Sequence, residues 1–319
     1  MQRLRRDPKE LVEAARGGDR GAVARLISLV EEGGEAARDV GRATYPLSGH
    51  AYTVGVTGAP GAGKSTLTDR LISRARAEGQ EVGVLAVDPS SPFSGGALLG
   101  DRARMQEHAT DPGVFIRSMA TRGHLGGLSL ATPEAIRVLD AVGRPLVLVE
   151  TVGAGQTEVE VAGAADTTMV VLNPGWGDAL QASKAGLLEA ADIFVINKAD
   201  RAGAGETERD LEFMLHLSSP PDEWLPPIVR TVATTGEGTD DVWDAMARHR
   251  TFLDEHGLLE RRRARRLAQE VREIVAHRIE LRARAISAGP EFDRILQDVV
   301  DRRLDPYQAA AEILARLDQ

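Results

Sequence analysis

The chain has 319 residues, 42% of them hydrophobic, and no Cys. That length suits one large domain or a core with appendages, and the lack of Cys excludes disulfides and thiolate metal sites. The net charge of −9 argues against general nucleic-acid binding, and the sequence has neither a membrane-spanning apolar stretch nor a signal-peptide pattern at its charged N-terminus, so we expect a cytoplasmic protein without membrane contact.

The first predicted elements are helices within residues 8–43. Apolar residues recur there at helical spacing, and Gly33-Gly34 ends the second apolar face. No catalytic combination of residues occurs in this part of the chain. We therefore predict that residues 1–45 form a helical extension packed on the core.

A glycine-rich segment follows an apolar run at residues 51–57 and precedes a helical pattern. Strand, glycine loop and helix in this order are typical of a phosphate-binding loop, in which N–H groups turn inward at a helix N-terminus. Lys64 is predicted to reach the β- and γ-phosphates and to be catalytic, and Ser65 to bind Mg²⁺. The predicted nucleotide contacts here are Gly58, Ala59, Pro60, Gly61, Ala62, Gly63, Lys64, Ser65 and Thr66.

The next predicted strand, residues 81–87, ends in Asp88, and a turn-rich segment leads from it to Asp101. A loop that carries both carboxylates toward Mg²⁺ is one interpretation. The other is a surface loop in which Asp serves as a turn or cap residue. The position of Asp88 at the carboxyl end of a strand favours a metal ligand, whereas both interpretations of Asp101 stay open.

Strands are also predicted at 114–119 and 145–149, with a helix at 133–142 between them. The second strand ends in Glu150-Thr151-Val152-Gly153, and an acid at this point typically holds Mg²⁺. Gln156 is not adjacent to Gly153, which argues against its positioning a water molecule.

Two further strands are predicted at 167–172 and 192–196. Between them, a helical segment carries Lys184, one of only four Lys in the chain, which is either a solvated helix residue or a functional one. The second strand runs into Asn197-Lys198-Ala199-Asp200, an N-K-x-D motif that selects guanine. The Asp200 carboxylate can accept from guanine N1–H and N2–H₂, Lys198 can cover the base, and Asn197 can tie the base loop to the phosphate loop.

The last core strand is predicted at 226–234, followed by a helix at 242–252. The end of this strand, Val232-Ala233-Thr234, is predicted to offer a backbone N–H to guanine O6. An Arg-rich helix is predicted at 258–286 and two short helices near 290–303 and 306–317, and all three are amphipathic. Their apolar faces need burial, either in a homodimer or against the same chain.

Five segments together resemble the MeaB/ArgK/MMAA GTPases: Gly58–Ser65, Asp88–Ser91, Glu150–Gln156, Gly177–Lys184 and Asn197–Asp200. The resemblance implies an α/β P-loop NTPase fold with a mostly parallel sheet, and a homodimeric GTPase that binds GTP or GDP. It also implies Mg²⁺ near Ser65, Asp88, Asp101 and Glu150, and a switch segment around Asp178–Lys184 that senses the partner. We predict catalytic roles for Lys64, Asp101, Glu150 and Lys184. Glu150 in place of Asp is what this branch of GTPases has.

The same resemblance implies a chaperone of an adenosylcobalamin-dependent acyl-CoA mutase, typically methylmalonyl-CoA mutase, that gates cofactor loading and protects the mutase. The alternatives are a kinase or ATPase of the ArgK type, a metal-insertion GTPase, and a non-catalytic scaffold controlled by nucleotide. The guanine motif speaks against ATP, and the lack of Cys against metal insertion. The predicted domain division is 1–45, 46–254 and 255–319.

Overall fold

The computed structural model describes residues 7–88, 106–108, 110–120, 131–151, 163–175, 191–218, 224–286 and 289–315. The chain divides into two compact units, one ending at Arg263 and the other beginning at Ala264. The three-part division at residues 45 and 254 stays a prediction.

The first unit contains a seven-stranded parallel sheet with the order β3-β2-β4-β1-β5-β6-β7. The strands are β1 (Tyr52–Gly58), β2 (Val82–Asp88), β3 (Val114–Ala120), β4 (Leu146–Thr151), β5 (Thr167–Leu172), β6 (Ile193–Asn197) and β7 (Ile228–Thr231). Continuous apolar runs form the central strands because helices cover both faces of the sheet. This architecture confirms the predicted α/β class.

Ten α-helices lie in the described part of the chain. They are α1 (Pro8–Arg16), α2 (Arg20–Glu32), α3 (Gly34–Thr44), α4 (Lys64–Ala77), α5 (Ala131–Ala141), α6 (Ala204–Ser218), α7 (Thr239–Glu255), α8 (Leu258–Ile286), α9 (Pro290–Val300) and α10 (Pro306–Leu314). Helices α4 and α7 pack on one face of the sheet. Helices α1, α2, α3 and α5 cover β2, β3 and β4 on the opposite face, and α6 covers β5 and β6 there.

The last strand is shorter than predicted. The prediction extended it over residues 226–234, but β7 covers only Ile228–Thr231. Pro226 and Pro227 lack the N–H that a strand ladder needs. Beyond Thr231 the chain forms a tight turn, with Val232 bridged to Glu237. The peptide groups predicted to face guanine therefore belong to a turn.

Buried ion pairs lie where the chain enters β5 and β6. Asp166 is fully buried and pairs with Arg263 at 2.7 Å. Asp192 contacts Arg262 at 3.0 Å and the buried His249 at 3.2 Å. Burial on its own would raise the pKa of Asp192, but His249 and Arg262 outweigh it and the pKa is lowered. These pairs attach the start of α8 to the amino end of the sheet.

The second unit consists of the remainder of α8 with α9 and α10. Its best-defined helix start is that of α10, where Asp305 and Gln308 form a capping box. An apolar row with a spacing of four residues runs along α8, and its members are one-third to three-fifths exposed: Leu267, Val271, Val275 and Ile279. No helix within the described residues combines the length and the apolar character needed to cross a bilayer.

Candidate nucleotide-binding site

The phosphate loop lies between β1 and α4 and has the glycine conformations that the sequence predicted. Gly58, Gly61 and Gly63 have φ angles of 130°, 72° and 91°. A Cβ atom at Gly58 would overlap the Val171 carbonyl, and one at Gly63 would overlap the Asn197 side chain. No other residue fits these two positions without displacing its neighbours.

Lys64 folds back over the phosphate loop at the first residue of α4. Its Nζ donates to the carbonyl of Gly58 at 2.8 Å and to that of Ala59 at 3.0 Å, and the residue is 6% exposed. Ala59 and Ala62 are buried, Pro60 is exposed, and Thr66 is half-buried in the first turn of α4. An ammonium group and a helix N-terminus thus converge on one loop, which favours binding of an anion.

Ser65 and Glu150 meet at the carboxyl edge of the sheet, as the sequence predicted for two ligands of one metal ion. The Ser65 Oγ donates to Glu150 Oε1 at 2.5 Å, and Glu150 is 1% exposed. A hydroxyl and a carboxylate so close together form the kind of oxygen donor set that suits Mg²⁺. The hydroxyl of Ser65 and the carboxylate of Glu150 are therefore suited to bind this cation.

Several predicted site residues lie outside the described part of the chain. Asp88 ends β2 at the same sheet edge, but its side chain is not described. Asp101, Gln156 and Lys184 lie wholly outside the described residues. The roles predicted for Asp88, Asp101 and Lys184 stay predictions, as does the argument against a water-positioning role for Gln156.

A buried acid also lies on α4, one turn beyond Ser65. The Asp69 carboxylate is 3.3 Å from His108 Nε2, and His108 is also 3.3 Å from the Ser73 hydroxyl. Burial raises the pKa of Asp69, and His108 partly offsets that effect. This contact attaches the short 3-10 helix at 106–108 to the phosphate-loop helix.

The guanine motif follows β6, and Asn197 connects it to the phosphate loop. Asn197 Nδ2 donates to the Ala62 carbonyl at 2.8 Å, while its Oδ1 accepts from Thr231 Oγ1 and from the Ala233 N–H at 3.1 Å each. Lys198 takes a left-handed φ of 58° and its Nζ donates to Gly61 O at 2.6 Å. Two side chains of the motif therefore hold the phosphate loop.

Asp200 lies in an exposed turn beyond Lys198. Across the residues that the structure describes, no hydrogen bond or ion pair involves its carboxylate. The carboxylate is thus open to a ligand, as a role in reading guanine requires.

Most backbone N–H groups of the turn after β7 already have an acceptor. The Val232 N–H donates to the Glu237 carbonyl at 3.0 Å, and the Thr235 N–H donates to the Val232 carbonyl at 3.0 Å. The Ala233 N–H is bonded to Asn197. Among the described residues, none accepts from the Thr234 N–H, which leaves it as the open donor of the predicted Val232–Thr234 segment.

Sequence reasoning missed Arg70, which lies on α4 and is half-buried. Its Nε donates to the Ala233 carbonyl at 2.9 Å and its Nη2 to the Thr234 carbonyl at 2.8 Å. No pattern distinguishes this residue among the 35 Arg of the chain. Only the packing of α4 beside the turn reveals it.

Comparison with known proteins agrees with this geometry. The profile of the family described as Methylmalonyl Co-A mutase-associated GTPase MeaB matches residues 23–288. A protein of Pyrococcus abyssi is 53% identical over 313 residues, which are 97% of this chain and 96% of its own. The GTPase ArgK of Escherichia coli is 36% identical and covers 89% of this chain and 88% of its own.

Two other relatives carry further information. The mouse protein named methylmalonic aciduria type A homolog, mitochondrial, is 41% identical over 202 residues, or 61% of this chain and 48% of its own. A crystal structure of a protein named LAO/AO transport system kinase matches with a TM-score of 0.73 and 28% identity, and the match covers 98% of both chains.

Proposed function

The chain belongs to the MeaB family of methylmalonyl-CoA mutase-associated GTPases, and from that premise we propose that it hydrolyses GTP to GDP and phosphate with Mg²⁺. One observation carries the proposal: Asn197 joins the guanine motif to the phosphate loop through Ala62 O. A guanine base and a triphosphate would then be held on one rigid support.

The proposed chemistry is in-line attack of water on the γ-phosphate, assisted by neutralisation of its negative charge. Lys64 would exchange its carbonyl partners for phosphate oxygens, and the N-terminus of α4 would add its partial positive charge. When bound, Mg²⁺ would neutralise phosphate charge, held by Ser65 and Glu150 and by the proposed ligands Asp88 and Asp101. Catalytic roles for Asp101 and Lys184 belong to the same proposal.

We further propose slow basal hydrolysis that a partner accelerates, because neither an arginine finger nor a well-placed Gln is evident in the sequence. The proposed partner is an adenosylcobalamin-dependent acyl-CoA mutase of the methylmalonyl-CoA type. The family description and the name of the mouse relative support this choice. The chain would gate loading of the cofactor and protect the mutase, and the Cys-free composition suits the cytoplasm as the compartment.

The test is to measure GTP hydrolysis with and without the mutase encoded by the source organism, using bovine serum albumin as the control protein. We expect the mutase alone to raise the rate. Fast basal turnover that the mutase leaves unchanged would contradict the proposal. A pull-down with GTP and with GDP would report whether the nucleotide controls the association.

A homodimer is part of the proposal, and the exposed apolar row on α8 supports it. Val271 and Val275 are 59% and 51% exposed, and apolar surface of this kind is typical of contact faces. We expect the double substitution Val271→Glu and Val275→Glu to halve the mass measured by light scattering. Phe213→Glu, at a residue of α6 that is 68% exposed, is the matched control. A wild-type monomer would contradict this part of the proposal.

An ATP-dependent kinase is the second candidate, because the protein in the matching crystal structure is named a kinase. Adenine does not present the pair of donors that the Asp200 carboxylate would accept. Competition between ATP and GTP for the wild-type chain separates the two candidates. Preference for ATP would favour the kinase.

A further inference from the structure

We infer that Arg70 is a positioning residue for guanine recognition, acting through the turn that follows β7. The inference rests on the proposed binding of guanine nucleotides. It names a specificity determinant on the phosphate-loop helix, at a distance along the chain from the N-K-x-D motif.

The argument starts from the geometry of one peptide group. A trans peptide is planar, and its C=O and N–H point in opposite directions. The Ala233 carbonyl and the Thr234 N–H belong to the same peptide. Because Arg70 Nε binds that carbonyl at 2.9 Å, the carbonyl faces α4 and the Thr234 N–H faces away from α4.

The second guanidinium contact restricts the next peptide. Arg70 Nη2 donates to the Thr234 carbonyl at 2.8 Å, so one planar group holds two successive carbonyls. The Thr235 N–H on the far side of that second peptide donates to the Val232 carbonyl. Rotation of the Ala233–Thr234 peptide would break the Arg70 bond to Ala233.

The remaining contacts of the turn leave one donor open. Asn197 Oδ1 already accepts from the Ala233 N–H, and Glu237 O already accepts from the Val232 N–H. Within the part of the chain that the structure describes, no acceptor meets the Thr234 N–H. We assign this N–H as the donor to guanine O6, with its direction set by Arg70.

Arg70 also connects the base site to the phosphate site. It lies on α4, five residues after Ser65, so the helix that begins at the phosphate loop also supports the turn that would read the base. Asn197 makes the second connection, from the guanine motif to Ala62 O. Lys198 makes the third, from its Nζ to Gly61 O, so Arg70 adds a connection that does not pass through the N-K-x-D motif.

Arg74 offers a matched control on the same helix. It lies one turn beyond Arg70 and pairs with Asp240 at 2.7 Å and Glu78 at 2.8 Å, and among the residues that the structure describes it donates to no carbonyl of the turn. Substitution of Arg74 removes a comparable cation from α4 but spares the proposed mechanism.

The test uses titration calorimetry of the full chain with GDP and with 6-thio-GDP, whose sulfur is a weak acceptor in place of O6. We expect the wild type to prefer GDP by about five- to tenfold, as one hydrogen bond implies. Arg70→Met should bring the ratio of the two affinities close to 1, mainly by weakening the binding of GDP. Arg74→Met should keep the wild-type ratio, and Arg70→Lys should restore part of it.

Equal weakening of both nucleotides by Arg70→Met, or an unchanged ratio, would overturn the inference and leave GTP binding intact. If Arg70→Met fails to fold, Arg70→Lys decides, because a single ammonium should give an intermediate ratio and a wild-type ratio would overturn the inference. A wild type that binds neither GDP nor 6-thio-GDP would instead overturn the proposed function, and the inference with it.

Discussion

Replacing Asn197 by Ala should destabilise the protein and weaken nucleotide binding together. The residue is 2% exposed and makes three hydrogen bonds, at 2.8, 3.1 and 3.1 Å. At about 1 kcal/mol for each bond, the loss is about 3 kcal/mol in the free energy of unfolding. With roughly 2–4 °C for each kcal/mol in a domain of this size, Tm should fall by about 6–12 °C.

The isosteric change Asn197→Asp separates the destabilisation caused by lost side-chain volume from that caused by lost hydrogen bonds. It keeps the acceptor for Thr231 and Ala233 but replaces the donor to the Ala62 carbonyl by a buried carboxylate oxygen. Two acceptors would then face each other, and the cost should equal or exceed that of Ala.

The assay is scanning calorimetry of the nucleotide-free chain, followed by titration with GDP. Asn173→Ala is the control, because it changes the only other Asn, whose buried Oδ1 accepts no hydrogen bond within the described residues. We expect the control to lose no hydrogen bond and to keep its Tm within about 2 °C. An Asn197→Asp variant as stable as the wild type would refute the reasoning.

Three further predictions follow from the site and from the buried ion pairs. Asp200→Asn should weaken GDP by about 1–3 kcal/mol and strengthen XDP, because the Asn amide can donate to xanthine O2; unchanged selectivity in a competition assay would contradict the role of Asp200. Glu150→Gln should raise the Mg²⁺ concentration required for hydrolysis but leave GDP binding in EDTA unaltered; an unchanged requirement would remove Glu150 from the metal site. The lowered pKa of Asp192 means that its paired carboxylate contributes stability fully above the unfolded pKa of about 3.9, and this contribution is lost as pH falls through the folded pKa. Asp192→Asn should thus be less stable than the wild type in urea at neutral pH, with the difference shrinking in acid; a constant difference would exclude the linkage.

Much of the nucleotide site could be predicted from local sequence alone. Positive φ angles could be predicted for the glycines of the phosphate loop, because only Gly adopts such angles without strain. All three predicted glycines have them. Glu150 and Asn197 each follow an apolar run. The carboxyl ends of parallel strands share one edge, so the predicted strands already placed both residues at the same edge of the sheet.

The sequence was less informative where tertiary contacts, and not local propensity, determine the conformation of a segment. It predicted a strand over 226–234, because Val and Thr favour strands, yet β7 ends at Thr231. The Ala233 N–H that would have continued a ladder is taken by Asn197 Oδ1. Such a tertiary contact overrides local propensity and has no signature in the segment itself.

By itself, the sequence determined the fold class, the phosphate loop and the N-K-x-D motif on which the proposed choice of guanine rests, since these depend on residues adjacent in the chain. The sequence also predicted that Ser65 and Glu150 share a metal site and that Asn197 ties the base loop to the phosphate loop. Only the tertiary structure gave the contacts themselves, Ser65 Oγ to Glu150 Oε1 and Asn197 Nδ2 to Ala62 O, and only it showed that Arg70 holds the turn beyond β7. The physical reason is distance along the chain: 85 residues separate Ser65 from Glu150, and 163 separate Arg70 from Ala233. Hydrogen bonds act over about 3 Å, so such pairs exist only once the sheet and its helices have packed.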